Sequence, residues 1–243
     1  QVARYASRTL SAAIPISGGA VYNNGSNLTP LVHKGEPFDA GWEKAEFDAG
    51  TFPCGATYNA VCAGNRVFFA PAGSDTVACL AAYDTTKPLQ TGFEQFNGAS
   101  RGYQCSDSAG AVATPSHLYV TQYYTKDASA PIKYIRRPLE GNLDAGWETQ
   151  PTNLKNPLTR GFVGGTFDGR WIYFAPYPTP TTNVIFSRFD TTMGFNDPNA
   201  WEIAAGAQVA VPANRFWGAL FDGQYVYYAS YQGLGNEQPA FAR

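Results

Sequence analysis

Histidine is nearly missing from this chain: His33 and His117 are the only two among 243 residues. They stand far apart, and the four cysteines, Cys54, Cys62, Cys79 and Cys105, contain no Cys-x-x-Cys pair. That spacing excludes the usual zinc patterns, so no metal is expected. Charge is scarce as well, at 15% Asp, Glu, Lys and Arg with a formal net charge of −2. Such a balance offers no basic face to offset phosphate, so a nucleic-acid partner is not expected. No apolar run approaches the roughly 20 residues of a membrane helix. There is no Gly-x-Ser-x-Gly elbow, and Gly233-Leu234-Gly235 precedes no helical pattern, so it is not a phosphate loop. No cofactor is expected.

Aromatics are what the chain has in plenty: 16 Phe, 15 Tyr and 5 Trp, within an apolar content of 44%. That balance suits pleated strands and a sizeable core, not a disordered chain or a coiled coil. The even cysteine count, confined to one quarter of the chain, reads as disulfides in an oxidising compartment. Pairing Cys54 with Cys105 and Cys62 with Cys79 is one of three connectivities open to four cysteines. Two sequons, Asn24-Gly25-Ser26 and Asn27-Leu28-Thr29, point the same way. A secreted, extracellular protein is expected, with Gln1 as a mature or trimmed start.

Order comes from repetition. Gly164-Gly165-Thr166-Phe167-Asp168-Gly169-Arg170-Trp171-Ile172-Tyr173-Phe174-Ala175-Pro176 reads as a strand, an Asp-Gly turn and an aromatic strand. The aromatic strand recurs from Arg66, His117, Trp171 and Tyr225, at nearly equal steps. A second marker, a small residue followed by an aromatic and a glutamate, ends at Glu43, Glu94, Glu148 and Glu202 and keeps those same steps. Two markers sharing one period define a structural repeat. Each repeat holds a small-residue strand, a turn, an aromatic strand, a polar loop, a third strand and a fourth at the glutamate marker. Four antiparallel strands in about 50 residues make a propeller blade.

The expected fold is therefore all-β: a single five-bladed β-propeller, with blades roughly at 1–50, 51–99, 100–156, 157–211 and 212–243. The fifth repeat reaches Ala240-Phe241-Ala242-Arg243, which matches Ile185-Phe186-Ser187-Arg188. Either residues near Val2 to Tyr5 complete it from the other terminus, or the chain is a fragment of a longer one.

The repeat resembles the Phe-Asp-Gly-Arg-x-x-Tyr-Phe-x-Pro propeller repeats of secreted, mainly microbial proteins. Residues Phe167 to Pro176 carry the full motif, and Phe221-Asp222-Gly223 carries part of it, with Gln224 for arginine and Ser230 for proline. In size the chain is similar to five-bladed lectins and five-bladed glycosidases. That resemblance implies a central funnel as the place for a ligand.

Glycoside cleavage needs two carboxylates at a set separation. Asp168 and Asp222 read as hairpin-turn residues, the four marker glutamates fall on outer strands, and only Asp107 falls on an inner one. His117 opens a strand where Trp171 and Tyr225 stand in other repeats, which suits packing. Three inner strands open alike, with Arg101-Gly102-Tyr103, Arg160-Gly161-Phe162 and Arg215-Phe216-Trp217. Guanidinium forks suit carboxylate or sulfate, and aromatic faces suit sugar rings. Arg101, Tyr103, Arg160, Phe162, Arg215 and Trp217 are therefore the expected binding residues, and no catalytic residue is assigned. The expected function is a non-catalytic extracellular binding module for a glycan or other small ligand. The alternatives are a five-bladed glycoside hydrolase or lyase, or a structural or interaction surface with a protein partner.

Overall fold

The computed structural model describes residues 2–5, 16–17, 20–21, 42–45, 57–71, 79–97, 108–123, 132–178, 184–206, 215–231 and 242–243. These residues form strands, turns and short 3-10 segments, with no helix long and apolar enough to cross a membrane. Near the N-terminus lie β1 (Val2–Tyr5), β2 (Ile16–Ser17), β3 (Ala20–Val21) and β4 (Trp42–Ala45). The second repeat forms β5 (Thr57–Ala63), β6 (Arg66–Pro71), β7 (Cys79–Asp84) and β8 (Phe93–Asn97). The third forms β9 (Ser108–Ala113), β10 (His117–Gln122), β11 (Lys133–Pro138) and β12 (Glu148–Pro151). The fourth forms β13 (Phe162–Phe167), β14 (Trp171–Pro176), β15 (Ile185–Asp190) and β16 (Trp201–Ala205). The fifth contributes β17 (Arg215–Phe221) and β18 (Val226–Tyr231), with Ala242 bridged to Tyr228.

Repeats two, three and four are each a four-stranded antiparallel meander in sequence order, as the repeat pattern requires. Their inner strands neighbour one another in the order β5, β9, β13, β17. All four share an irregularity near the start of the strand, between Thr57 and Asn59, beside Val120 and Gln122, between Phe162 and Gly165, and between Phe216 and Ala219. Glycine makes the close approach of these strands possible. A Cβ on Gly110 would stand 2.3 Å from the Gly164 nitrogen, so β9 and β13 meet backbone to backbone there.

Between the sheets the aromatics stack face on face. The second and third sheets enclose Val61, Phe68, Phe96, Leu118, Ile135 and Trp147. The third and fourth enclose Tyr119, Tyr134, Phe162, Phe174, Phe189 and Trp201. Each fully buried phenylalanine contributes roughly 2 kcal/mol of hydrophobic stabilisation. The aromatic-glutamate marker now has a physical meaning. Trp147 stacks on Phe96 of the preceding sheet at 5.0 Å, and Trp201 stacks on Tyr134 at 4.3 Å. Both indoles stay satisfied in the core by donating to the carbonyls of Leu143 and Phe195. The marker glutamates face outward and pair with arginines: Glu94 with Arg66, Glu148 with Arg136 and Glu202 with Arg188. Exposed pairs of this kind add up to about 1 kcal/mol each.

Two expectations are corrected. Val2–Tyr5 does not join the fifth repeat, because β1 pairs antiparallel with β4, from Val2 opposite Ala45 to Tyr5 opposite Trp42. Cys62 is not bonded to Cys79 but carries a free thiol, whose pKa burial pushes up. The sheet explains why. Cys62 on β5 faces Val67 on β6, which faces Tyr83 on β7, whereas Cys79 lies at the far end of β7 opposite Asn97. Two strand spacings alone, about 10 Å, exceed the Cα separation of roughly 7 Å that a disulfide can span. Cys54 and Cys105 lie outside the described residues.

Candidate functional site

Each inner hairpin has two ends, and both carried candidate residues. At the turn end, the Asp168 amide donates to the Trp171 carbonyl, and the amides of Arg170 and Trp171 donate to Asp168 Oδ1 at 2.8 and 2.6 Å. Gly169 supplies the φ of +108° that closes the turn. The Tyr173 hydroxyl donates to the other carboxylate oxygen at 3.0 Å. Asp222 repeats the arrangement with the amides of Gln224 and Tyr225, at 2.8 and 2.7 Å. Those two amides, Tyr225 first, hold its carboxyl below the usual carboxylate range. In the third repeat the Thr114 hydroxyl takes the same place and accepts the His117 amide at 3.0 Å. His117 itself is half-buried beside Tyr119, and burial lowers its pKa.

A second carboxylate locks this end to the third strand. Asp190 is buried and accepts from Arg170 Nε and Nη2 at 3.0 and 2.6 Å and from the Thr192 amide and hydroxyl at 3.0 and 2.6 Å. The Arg170 guanidinium, with help from Thr192, holds its pKa at about 2. Asp84-Thr85-Thr86 is the same device in the second repeat, with the Thr86 amide and hydroxyl on Asp84 Oδ1. Every carboxylate oxygen that these hydrogen bonds reach serves the backbone or a neighbouring strand. This end is scaffold.

The opposite end differs. Tyr123, Tyr177 and Tyr231 follow or end β10, β14 and β18, each one repeat step beyond the last. Tyr177 is the hub: its ring centroid lies 5.7 Å from Tyr123, 5.4 Å from Trp217 and 5.6 Å from Tyr231. Trp217 and Tyr231 close the cluster at 5.0 Å. Arg215 lies over the Tyr177 ring, its guanidinium carbon 5.0 Å from the centroid. Buried Ala109 and Val163 floor the cluster, while Tyr231 stays 42% exposed. Tyr177 is buried, and Tyr123, Trp217 and Arg215 are half-buried. The result is an arc of four aromatic rings with one cation, partly open to solvent.

Register explains which expected residues reach it. Phe162 lies opposite Pro176 and Phe216 opposite Ser230, so Phe162 and Phe216 are equivalent, and both are fully buried. Phe162 is thus a core residue and not a ligand contact, which corrects the expectation. It packs between Tyr134 and Phe174, with centroids at 5.2 and 5.9 Å. Trp217 is one position further, where the preceding repeats carry Val163 and Ala109. Arg215 stands opposite Tyr231, as Gly161 stands opposite Tyr177 through a 2.8 Å backbone bond. The Arg160-led and Arg215-led triplets therefore do not superpose. The intervals from Arg101 to Arg160 and from Arg160 to Arg215 both overshoot the step that separates Trp171 from Tyr225. Arg160 is half-buried and adjoins Gly161 at this end. Arg101 and Tyr103 lie outside the described residues.

Trp217 and Arg215 are the residues that the repeat itself does not require. Sequence reasoning named both but missed Tyr123, Tyr177 and Tyr231, although their spacing follows the period.

A separate groove of about 340 Å³ lies between the fourth sheet and β18, lined by Tyr173, Phe186, Arg188, Ile203, Tyr228 and Arg243. One of its two cations is already engaged, since Arg188 Nε and Nη2 donate to Glu202 at 2.9 and 2.6 Å. Among the described residues, no group of three His, Cys, Asp or Glu could hold a metal ion. Comparison with protein-family models, with curated proteins and with solved structures yields no match.

Proposed function

We propose that this chain is a secreted, five-bladed propeller that binds carbohydrate without cleaving it, through the aromatic arc of Tyr123, Tyr177, Trp217 and Tyr231. One observation carries the reading: a half-buried tryptophan replaces the smaller Val163 and Ala109 that the preceding two repeats hold at the same inner-strand position. It does so beside three tyrosines that already converge there. A packing role favours a small residue at that crowded place, whereas a sugar ring needs a flat apolar face with polar edges. Aromatic faces are electron-rich and attract the polarised C–H groups of a pyranose, and a tyrosine adds a hydroxyl at the rim of that face. Closure into five blades is supported by β2 lying against β5 and β3 against β17, which would bring the first repeat between the second and the fifth.

Glycan-array binding by the full chain tests this reading, run beside an assay for released reducing sugar. Binding that disappears in Trp217→Ala, with no sugar released, is the expected result. Release of sugar would replace the binding module by a hydrolase or lyase. Unchanged binding in Trp217→Ala would remove the arc from the function.

A further inference from the structure

Among the described residues, most arginines are spoken for. Arg66, Arg136, Arg170 and Arg188 each pair with a carboxylate. Arg137 is fully buried and donates to the loop carbonyls of Glu140, Gly141 and Asn142. Arg215 is different. It has no carboxylate or carbonyl partner among the described residues, and its guanidinium rests on the Tyr177 ring at the half-open end of the hairpin. The fourth repeat shows that no arginine is needed for the strand, since Gly161 fills the equivalent position just before β13.

The geometry points to Arg215 as the oxyanion subsite of the aromatic arc, so that the preferred ligand is an acidic glycan, with a carboxylate or sulfate on a ring stacked against Trp217 and Tyr231. The inference rests on the glycan reading above and adds the charge of the ligand to it. A guanidinium has a planar fork of donors that matches two oxygens of one anion. Contact with Tyr177 restricts the side chain before the ligand arrives, which limits the entropy lost on binding. Trp217 and Tyr231 both touch the Tyr177 ring that this cation covers, and Tyr231 lies opposite Arg215 in the strand register, so one sugar could use the flat face and the fork together.

The experiment is an array carrying neutral, uronate-bearing and sulfated oligosaccharides, probed with the full chain and with Arg215→Gln, Arg215→Lys and Trp217→Ala. Hits are then titrated by calorimetry at low and high salt. In the unaltered chain, acidic glycans should bind about tenfold tighter than their neutral or methyl-esterified counterparts, a margin of about 1.4 kcal/mol. That margin should shrink in high salt. Arg215→Gln should erase the margin and leave neutral binding in place. Arg215→Lys, which keeps the charge and loses the fork, should retain part of it, and it stands in if the glutamine variant melts early. Which acidic set carries the margin distinguishes carboxylate from sulfate. Equal binding of acidic and neutral glycans by the unaltered chain, or a margin that survives in Arg215→Gln, overturns the oxyanion subsite alone. No binding to any of the three sets, or binding indifferent to Trp217→Ala, overturns the arc and the subsite with it.

Discussion

The two ends of the inner hairpins are made from the same repeat and have been put to different uses. At the turn end, repetition extends to the hydrogen bonds. Asp168 and Asp222 accept from equivalent amides, and Asp84 and Asp190 accept from equivalent threonines. At the other end a tyrosine recurs in the third, fourth and fifth repeats, but the residues among them do not: Trp217 stands for Val163 and Ala109, and Arg215 for Gly161. Where each repeat must solve the same closure problem, the solution repeats and its polar groups are consumed. Where the repeat is broken, a cation is left over. Departure from the period, more than adherence to it, marks the place to look for a ligand.

The ends share one support, and the largest effect is expected there. Gly110→Ala would drive a Cβ to 2.3 Å from the Gly164 nitrogen and 2.6 Å from its Cα, backbone atoms that cannot swing aside. Loss of about 3 kcal/mol or more follows from that overlap, read as an early urea midpoint, and both ends should fail together. Next comes Asp190→Ala, at about 2 kcal/mol, because two charge-assisted contacts to a buried carboxylate and the Thr192 cap are lost, although Arg170 is largely exposed and solvent can take it back. Glycan binding should be untouched. The same carboxylate sets an acid limb. Its folded pKa of about 2 lies below the unfolded value of roughly 4, so its contribution is complete above about pH 4 and is lost as the pH falls towards 2. Acid melting of the wild type against Asp190→Ala checks this: the gap between them should close in that window. A gap that stays constant to pH 2 would mean that Asp190 is not the titrating group.

Trp217→Ala inverts that pattern. Binding should fall about tenfold or more, while stability changes by less than about 1 kcal/mol because the ring is only half-buried at the edge of the core. Together the two variants make a double dissociation between the ends. A Trp217→Ala protein that loses stability and keeps its binding would make the arc a packing feature.

How far the sequence could be read depended on which side of the sheet a residue occupies. The aromatic strands and the glutamate marker keep their period because each must stack on the neighbouring sheet, as Trp201 does on Tyr134, so the demands of packing preserve the spacing. That made the four-stranded meanders legible. At the inner-strand openings only one position, that of Phe162 and Phe216, is held by such packing, so the likeness of Arg160-Gly161-Phe162 to Arg215-Phe216-Trp217 is a one-residue slip. In a strand, one residue exchanges the faces, and so Phe162 went to the core while Trp217 did not. The tyrosines were countable from the same markers. They fall at or beyond the ends of the aromatic strands, after Pro176 in the fourth repeat, where a reader expects loop. Cys62 and Cys79 share a short stretch of chain, but the meander sends them to opposite ends of β5 and β7, a separation visible only once the strands are paired.

The smallest effect should come from the residue that looks most like an active site. Asp168 sits in the most complete copy of the repeat motif, between a phenylalanine and a glycine, with a tyrosine hydroxyl on its carboxylate. If it is only a turn cap, Asp168→Ala removes acceptors for the amides of Arg170 and Trp171 and costs about 1 kcal/mol, as side-chain caps of exposed backbone donors do. Asp168→Asn should recover most of that loss, because its amide oxygen can accept the same two bonds without charge. Neither variant should alter glycan binding, since the turn and the arc occupy opposite ends of the β13–β14 hairpin. Should Asp168→Asn melt like the wild type and yet bind nothing, the carboxylate would have a task other than closing its turn. The contrast between the two ends would then have to be drawn the other way round.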